Sequence, residues 1–170
     1  MATVYLGLGS NVGDRQGHLG RALAALASAP AIRVVAVSPF IETAPVGGPP
    51  GQGMYLNAAA HVETDLKPAA LLAELKSIER RLGRRDGPRW GARPIDLDIL
   101  LYDDLVLDTP DLVIPHPRLA ERRFVLEPLS EVAPDARDPR SGLSVRDLLA
   151  RMSAEYHDSH GRSLPVPLPS

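Results

Sequence analysis

The tightest constraint on the fold lies just before Tyr102. In Pro94-Ile95-Asp96-Leu97-Asp98-Ile99-Leu100-Leu101 apolar and acidic residues alternate, and the run is short and rich in branched side chains. Such a stretch is a β-strand of period two, and a proline is tolerated at its start. The reading predicts a strand over 95–101, with Ile95, Leu97, Ile99 and Leu101 on a core face and Asp96 and Asp98 on the other. From the rise per residue the two carboxylates stand ~6–7 Å apart at Cα. Like charges at that spacing repel, so they add nothing to folding. One account is a half-exposed strand whose acidic side faces water. The other is a divalent cation between the carboxylates. Hard oxygen donors favour Mg²⁺, which completes its shell with water and phosphate oxygens.

The flank favours the cation. Arg80, Arg81, Arg84, Arg85, Arg89 and Arg93 precede the strand, opposed only by Asp86. Guanidinium forks match phosphate oxygens. A basic loop leading into paired carboxylates suits a site for Mg²⁺ and a polyphosphate. This basicity is local, because the net charge is −2 over 170 residues. Neither nucleic acid nor an anionic membrane is therefore expected as a partner. The chain has no cysteine. That excludes disulfides, thiol catalysis and thiolate metal sites, and fits a reducing cytoplasm. The N-terminus lacks a charged-then-apolar leader, and no apolar run is long enough for a bilayer, so a cytoplasmic protein is expected.

Along the chain, strands are expected over 3–9, 32–43 (bent at Pro39) and 54–64. Helices are expected over 15–28, capped by Asp14, and from an Asp65 cap to the stop at Gly83. Gly7, Gly9 and Gly13 form G-x-G-x-x-x-G, one residue too long for a dinucleotide fingerprint, and read as a structural turn. Tyr55 and Asn57 share a strand face beside the glycine- and proline-rich loop 44–53. Each reads equally as packing or as ligand contact. A short strand at 105–107 and an irregular stretch at 108–118 should precede helical patterns at 121–132, interrupted at Pro128, and at 144–152. Residues 1–152 are expected as one domain, and 153–170 as a loosely packed or disordered tail. Loops 44–53 and 84–93 are expected to be mobile without ligand. The element order is β-α-β-β-α-β. It predicts an α+β, ferredoxin-like fold: two helices on one face of an antiparallel sheet and the added C-terminal helices on the other.

Six segments then occur together: Tyr5-Leu-Gly-Leu-Gly-Ser-Asn11, Glu42-Thr-Ala-Pro-Val-Gly47, Tyr55-Leu-Asn-Ala58, Ile78-Glu79 with Leu82-Gly-Arg84, Trp90-Gly-Ala-Arg93 with Asp96-Leu-Asp98, and Ile114-Pro-His116 through Arg122-Arg-Phe-Val-Leu126. In order and spacing this set resembles the 6-hydroxymethyl-7,8-dihydropterin pyrophosphokinase family of folate biosynthesis. The resemblance implies transfer of pyrophosphate from ATP to 6-hydroxymethyl-7,8-dihydropterin, by a monomer. It implies that Asp96 and Asp98 hold two Mg²⁺ ions on ATP, with Asp96 also bordering the pterin. Arg84 and Arg93 would engage the phosphates and act in catalysis. Lys76, Glu79, Ile99, His116 and Arg122 would border ATP. Tyr55 and Phe124 would sandwich the pterin, Thr43, Val46 and Asn57 would meet its edge, and Trp90 would cover it. The chain departs from many members in having Lys76 for Gln, and from some in having Pro117 for Tyr. His18, His61, His157 and His160 have no counterpart and read as surface.

Two other readings fit parts of the pattern. Another D-x-D enzyme, such as a nucleotidyltransferase, would need a third carboxylate on a neighbouring strand. A ferredoxin-like RNA-binding module would need aromatics across an open sheet face and a basic balance, and aromatics are only 4%.

Overall fold

The computed structural model describes residues 1–43, 55–83 and 94–160. Val46, Arg84, Trp90, Arg93, the two loops expected to be mobile and the end of the tail lie outside the described residues. Strand β1 (Ala2–Ser10) leads to helix α1 (Arg15–Ser28), β2 (Ile32–Val37), β3 (Ile41–Thr43), β4 (Tyr55–Thr64), α2 (Pro68–Arg81) and β5 (Asp96–Tyr102). The hairpin β6 (Leu107–Asp108) and β7 (Val113–Ile114), a 3₁₀ turn at Leu119–Glu121, α3 (Arg123–Val132) and α4 (Val145–His160) follow. The sheet runs β2-β4-β1-β5, all antiparallel, with β3 also paired to β4. This is the expected ferredoxin-like order. Pro39 divides the expected long strand into β2 and β3.

The two faces of the sheet are packed differently. Val4, Leu6 and Leu8 of β1, Ala58, Ala60 and Val62 of β4, and Ile95, Leu97 and Ile99 around β5 meet α1 and α2 in the larger core. Leu19, Ala22 and Leu26 supply the α1 stripe, and Leu71, Leu75 and Ile78 that of α2. The opposite face packs Ala59, Leu100 and Leu101 against Leu126 and Leu129 of α3 and Leu148 of α4.

Several local expectations are corrected. Leu101 does not continue the odd-numbered face. Leu6 pairs with Ile99 and Tyr5 with Leu101, so Leu100 is an extra residue on β5. This bulge turns Leu101 into the second core. Helix α2 begins after Lys67 with Pro68 at its start, while Asp65 lies 3.6 Å from the N-terminal amine. Proline lacks the N–H that a first-turn residue would leave unpaired, so the helix start has one donor fewer to satisfy. Helix α3 runs through Pro128. The one intrahelical bond forfeited is that to the Phe124 carbonyl, in the first turn. The strand expected at 105–107 is instead Leu107–Asp108, paired with Val113–Ile114 inside the stretch read as irregular. Helix α4 continues past Met152 to His160. His61 is not a surface residue: its ring lies 5.0 Å from that of Tyr5, and its Nε2 is buried without a hydrogen-bond partner.

Candidate active site

Strand register builds the site. Across the sheet, Asp96 pairs with Gly9 and Gly9 with Asn57, while Asp98 pairs with Gly7 and Gly7 with Ala59. Residues directly opposite share a face, so two carboxylates, two glycines and an asparagine lie side by side on the α3/α4 face. Gly7 and Gly9 belong to β1, as the strand expected over 3–9 implies, and the turn follows them. Of the three glycines only Gly13 sits in the left-handed region, at φ 62°. The missing side chains leave a floor for a cleft of about 400 Å³. A methyl group at Gly9 would come within 3.1 Å of Asn57 Oδ1.

The walls come from three further segments. Tyr55 and Thr43 close the β3/β4 end, where Asn57 Nδ2 donates to Thr43 Oγ1 at 2.7 Å. Both polar side chains are nearly buried and line the cleft edge. Phe124 and Val125, from the first turn of α3, line another side. The Arg122 guanidinium lies 5.4 Å from the centroid of the Phe124 ring, a cation–π contact. The segment after β7 supplies His116, Arg118, Glu121 and Arg122.

His116 is fixed at three points. Its N–H donates to the Leu100 carbonyl at 3.0 Å, its carbonyl accepts from Leu119 N–H at 3.0 Å, and its Nδ1 accepts from Arg118 N–H at 3.2 Å. With Nδ1 an acceptor, a neutral ring carries its proton on Nε2 and is a donor there. Burial pushes the imidazole below its ordinary pKa. Asp98 opposes that shift, and Arg122 and Arg118 add to it. Asp98 keeps access to solvent through the cleft mouth, yet protein surrounds it closely enough that burial is the first cause raising its carboxyl pKa. His116 and Lys76 pull that pKa back, while Asp96 and Glu79 raise it further. The acid pair thus carries an electrostatic load that a cation would relieve.

The donor set fits a metal held jointly with a ligand. Among the described residues no group of three or more His, Asp or Glu could hold an ion alone. Two adjacent carboxylates facing a cleft suit Mg²⁺, which keeps waters and shares its shell with phosphate oxygens. The neighbouring β1 positions are glycines, so the third carboxylate of the nucleotidyltransferase reading is not found there. The α3/α4 layer covers one end of this sheet face, over Ala59, Leu100 and Leu101, and the open end carries acids and glycines where an RNA-stacking module would carry aromatics.

The cleft brings together Thr43, Tyr55, Asn57, Asp96, Asp98, His116, Arg122 and Phe124, all expected from the sequence. Gly7, Gly9, Arg118 and Glu121 line it as well and were not singled out for it. The two glycines could have been found, since both fall on the face of β1 opposite Leu6 and Leu8. Lys76 is half-exposed and its Nζ lies 3.5 Å from Glu79 Oε1. Ile99 is 3% exposed and belongs to the larger core, which leaves only its backbone for a nucleotide. Glu79 is 1% exposed, and its Oε2 accepts from Leu97 N–H at 2.8 Å.

Comparisons with known proteins agree with this geometry. The family of 7,8-dihydro-6-hydroxymethylpterin-pyrophosphokinases (HPPK) matches residues 5–134. A Methylorubrum extorquens protein named 2-amino-4-hydroxy-6-hydroxymethyldihydropteridine pyrophosphokinase is 45% identical over 152 residues, covering 89% of this chain and 94% of that one. Its Bacillus subtilis namesake is 46% identical over 128 residues, covering 75% and 76%. Among solved structures, an HPPK-DHPS in complex with substrates superposes with a TM-score of 0.74 at 13% identity over 96% of this chain. Wild-type Plasmodium falciparum HPPK-DHPS gives 0.72 at 14% over 94%. The chain spans about half the length of those two solved chains, 45% and 46%. They share its fold, and the sequence relatives fix its membership: the chain belongs to the 7,8-dihydro-6-hydroxymethylpterin-pyrophosphokinase family.

Proposed function

We infer that this chain is an ATP-dependent diphosphotransferase acting on 6-hydroxymethyl-7,8-dihydropterin in folate biosynthesis. The hydroxymethyl oxygen attacks the β-phosphorus of ATP. The new O–P bond forms as the bond from that phosphorus to the α–β bridging oxygen breaks, and the electron pair leaves with AMP. The hydroxyl proton passes to solvent. One observation carries the reading, within a family whose members have this name. A single cleft joins an acidic pair, a cationic wall and an aromatic end with a polar edge.

Each part has a task. Tyr55 and Phe124 offer flat surfaces for the pterin, and the Asn57–Thr43 pair offers a donor and acceptors at its rim. His116 Nε2–H and Arg122 meet the triphosphate, with Arg84 and Arg93 contributing from the loop before β5. Asp96 and Asp98 are the residues that would hold two Mg²⁺ ions together with ATP, and the bound metal would supply charge neutralisation for the transferred phosphates. Little covalent work falls to the protein, so catalysis is alignment at a near-attack distance of ~3–3.5 Å together with charge stabilisation. No obligatory general base is assigned, since a carboxylate bound to Mg²⁺ stays ionised.

The reading is tested by incubating the protein with ATP, Mg²⁺ and the pterin and separating the nucleotides. Pterin-dependent AMP and a pterin diphosphate are expected. Pterin-dependent ADP without AMP overturns it.

A further inference from the structure

Glu79 is a buried carboxylate that the chemistry above does not use. It lies on α2, beneath the α1/α2 face of the sheet, whereas the cleft opens on the opposite face. It is 1% exposed, and it lines no part of the cleft. Taking a carboxylate out of water costs several kcal/mol unless charge-assisted bonds replace the lost hydration. Its Oε2 accepts the main-chain N–H of Leu97 at 2.8 Å, and its Oε1 lies 3.5 Å from Lys76 Nζ.

The partner is informative. Among the described residues, strand β5 is the outer strand of the sheet and pairs only with β1. Its other edge would leave backbone donors without ladder partners. The donor that Glu79 satisfies belongs to the residue between Asp96 and Asp98. The peptide units on either side of Leu97 set the direction of both acidic side chains. The Leu97 side chain is itself locked in the core, 1% exposed. A strong bond at that one amide therefore fixes the segment from which the acidic pair projects. Outer groups that orient first-sphere ligands act in this way in metal sites generally.

We propose that Glu79 is a positioning residue which, through the Leu97 N–H, holds Asp96 and Asp98 in the geometry that receives the metal–nucleotide complex. The proposal rests on the reading of Asp96 and Asp98 as metal ligands. It assigns Glu79 no contact with ATP.

Substitution separates acceptor from charge. Glu79→Gln keeps an oxygen that can accept from Leu97 N–H but removes the charge. Glu79→Leu keeps bulk in the core and removes the acceptor. In the ligand-free protein the Leu97 amide should exchange slowly in the wild type and in Glu79→Gln, and at least tenfold faster in Glu79→Leu. The Mg²⁺ concentration for half-maximal ATP-analogue binding, followed by calorimetry, should stay within about threefold for Glu79→Gln. It should rise about tenfold for Glu79→Leu, with the pterin KM unchanged. If Glu79→Leu does not fold, the Glu79→Gln measurements decide alone.

Two results overturn the proposal. One is a loss in Glu79→Gln as large as that in Glu79→Leu, which would mean that the charge acts directly on metal or nucleotide. The other is wild-type binding by Glu79→Leu. Failure of the underlying reading is distinct: Asp96→Asn and Asp98→Asn would then leave Mg²⁺-dependent binding unchanged, whatever Glu79 does.

Discussion

The two faces of this sheet are made from the same strands and serve opposite ends. Toward α1 and α2, β1 presents Val4, Leu6 and Leu8, β4 presents Ala58, Ala60 and Val62, β5 presents Leu97 and Ile99, and the contact is closed. Toward α3 and α4, the alternate positions carry Gly7 and Gly9, Asn57 and Tyr55, and Asp96 and Asp98. Here the helices cover only the far end, over Ala59, Leu100 and Leu101. Strand β5 shows the division in successive residues: Leu97 is buried between two acids that look into the cleft. Period-two geometry lets one strand hold the fold with one set of side chains and turn the other set toward the cleft. The contrast makes a general prediction. Substitutions on the cleft face should affect catalysis and spare stability, and those on the closed face should do the reverse.

The largest effect belongs to the acidic pair. Asp96→Asn and Asp98→Asn should each lower kcat by roughly 10³-fold, equivalent to about 4 kcal/mol of transition-state stabilisation. Stability should not follow. The folded state holds the Asp98 carboxyl above its ordinary pKa, chiefly by burial, so ionisation opposes folding at neutral pH. In chelated buffer, Asp98→Asn should therefore melt at or above the wild-type temperature near neutrality. The gain should vanish as the pH falls below the ordinary aspartate value, where the unfolded chain also binds the proton. Turnover close to wild type in the double variant would break the comparison at its centre.

The closed face gives the converse. Leu6 is fully buried against the α1/α2 layer, next in sequence to Gly7. Leu6→Ala should cost about 2–5 kcal/mol from lost burial and the cavity left behind. At roughly 2–4 °C per kcal/mol for a chain of this size, calorimetry should show a fall of about 5–15 °C. At a temperature where both proteins are folded, kcat should stay within about threefold, because nothing on the cleft face has moved. A thousandfold loss of activity without a change in melting temperature would mean that the two faces are not separable.

Legibility from sequence follows the same division. The alternation in β5 could be read because it needs no partner: the strand alone says which side is apolar. The βαββαβ order and both helix stripes could be read for the same reason. Features that depend on what a residue meets could not. The bulge at Leu100 arises from pairing with β1, so Leu101 was placed on the wrong face. Gly7 and Gly9 were visible as glycines, but only the register sets them opposite Asp98 and Asp96. The Tyr5–His61 contact joins neighbouring strands. Glu79 meets a backbone N–H, and a backbone partner leaves no mark in the sequence. Family resemblance recovered most of the cleft, because it records residues that already function together. It gave no notice of Arg118 or Glu121.

The smallest effect concerns the floor itself and separates its two glycines. Neither adopts the left-handed region, so alanine meets no backbone penalty at either site. Replacing a glycine in a strand should leave stability unchanged or raise it by about 0.4–1 kcal/mol. The added methyl groups meet different neighbours. At Gly7 the nearest atom is Leu100 Cδ2 at 3.3 Å, the end of a side chain that can shift by a few tenths of an ångström. At Gly9 it is Asn57 Oδ1 at 3.1 Å. Asn57 cannot yield as easily, because its Nδ2 is tied to Thr43 Oγ1 at 2.7 Å and both residues are nearly buried. Accommodating the methyl group must tilt the amide and strain that bond, and a typical hydrogen bond contributes about 0.5–1.5 kcal/mol. Gly9→Ala should therefore raise the pterin KM by roughly three- to tenfold, leaving the ATP KM and the melting temperature nearly unchanged. Gly7→Ala should change the pterin KM by less than about twofold, since the strain is taken up away from the Asn57–Thr43 edge. Steady-state kinetics with both substrates varied will distinguish the two. Equal effects at both positions would mean that the floor limits binding by room alone, and that the Asn57–Thr43 pair has no part in recognising the pterin edge.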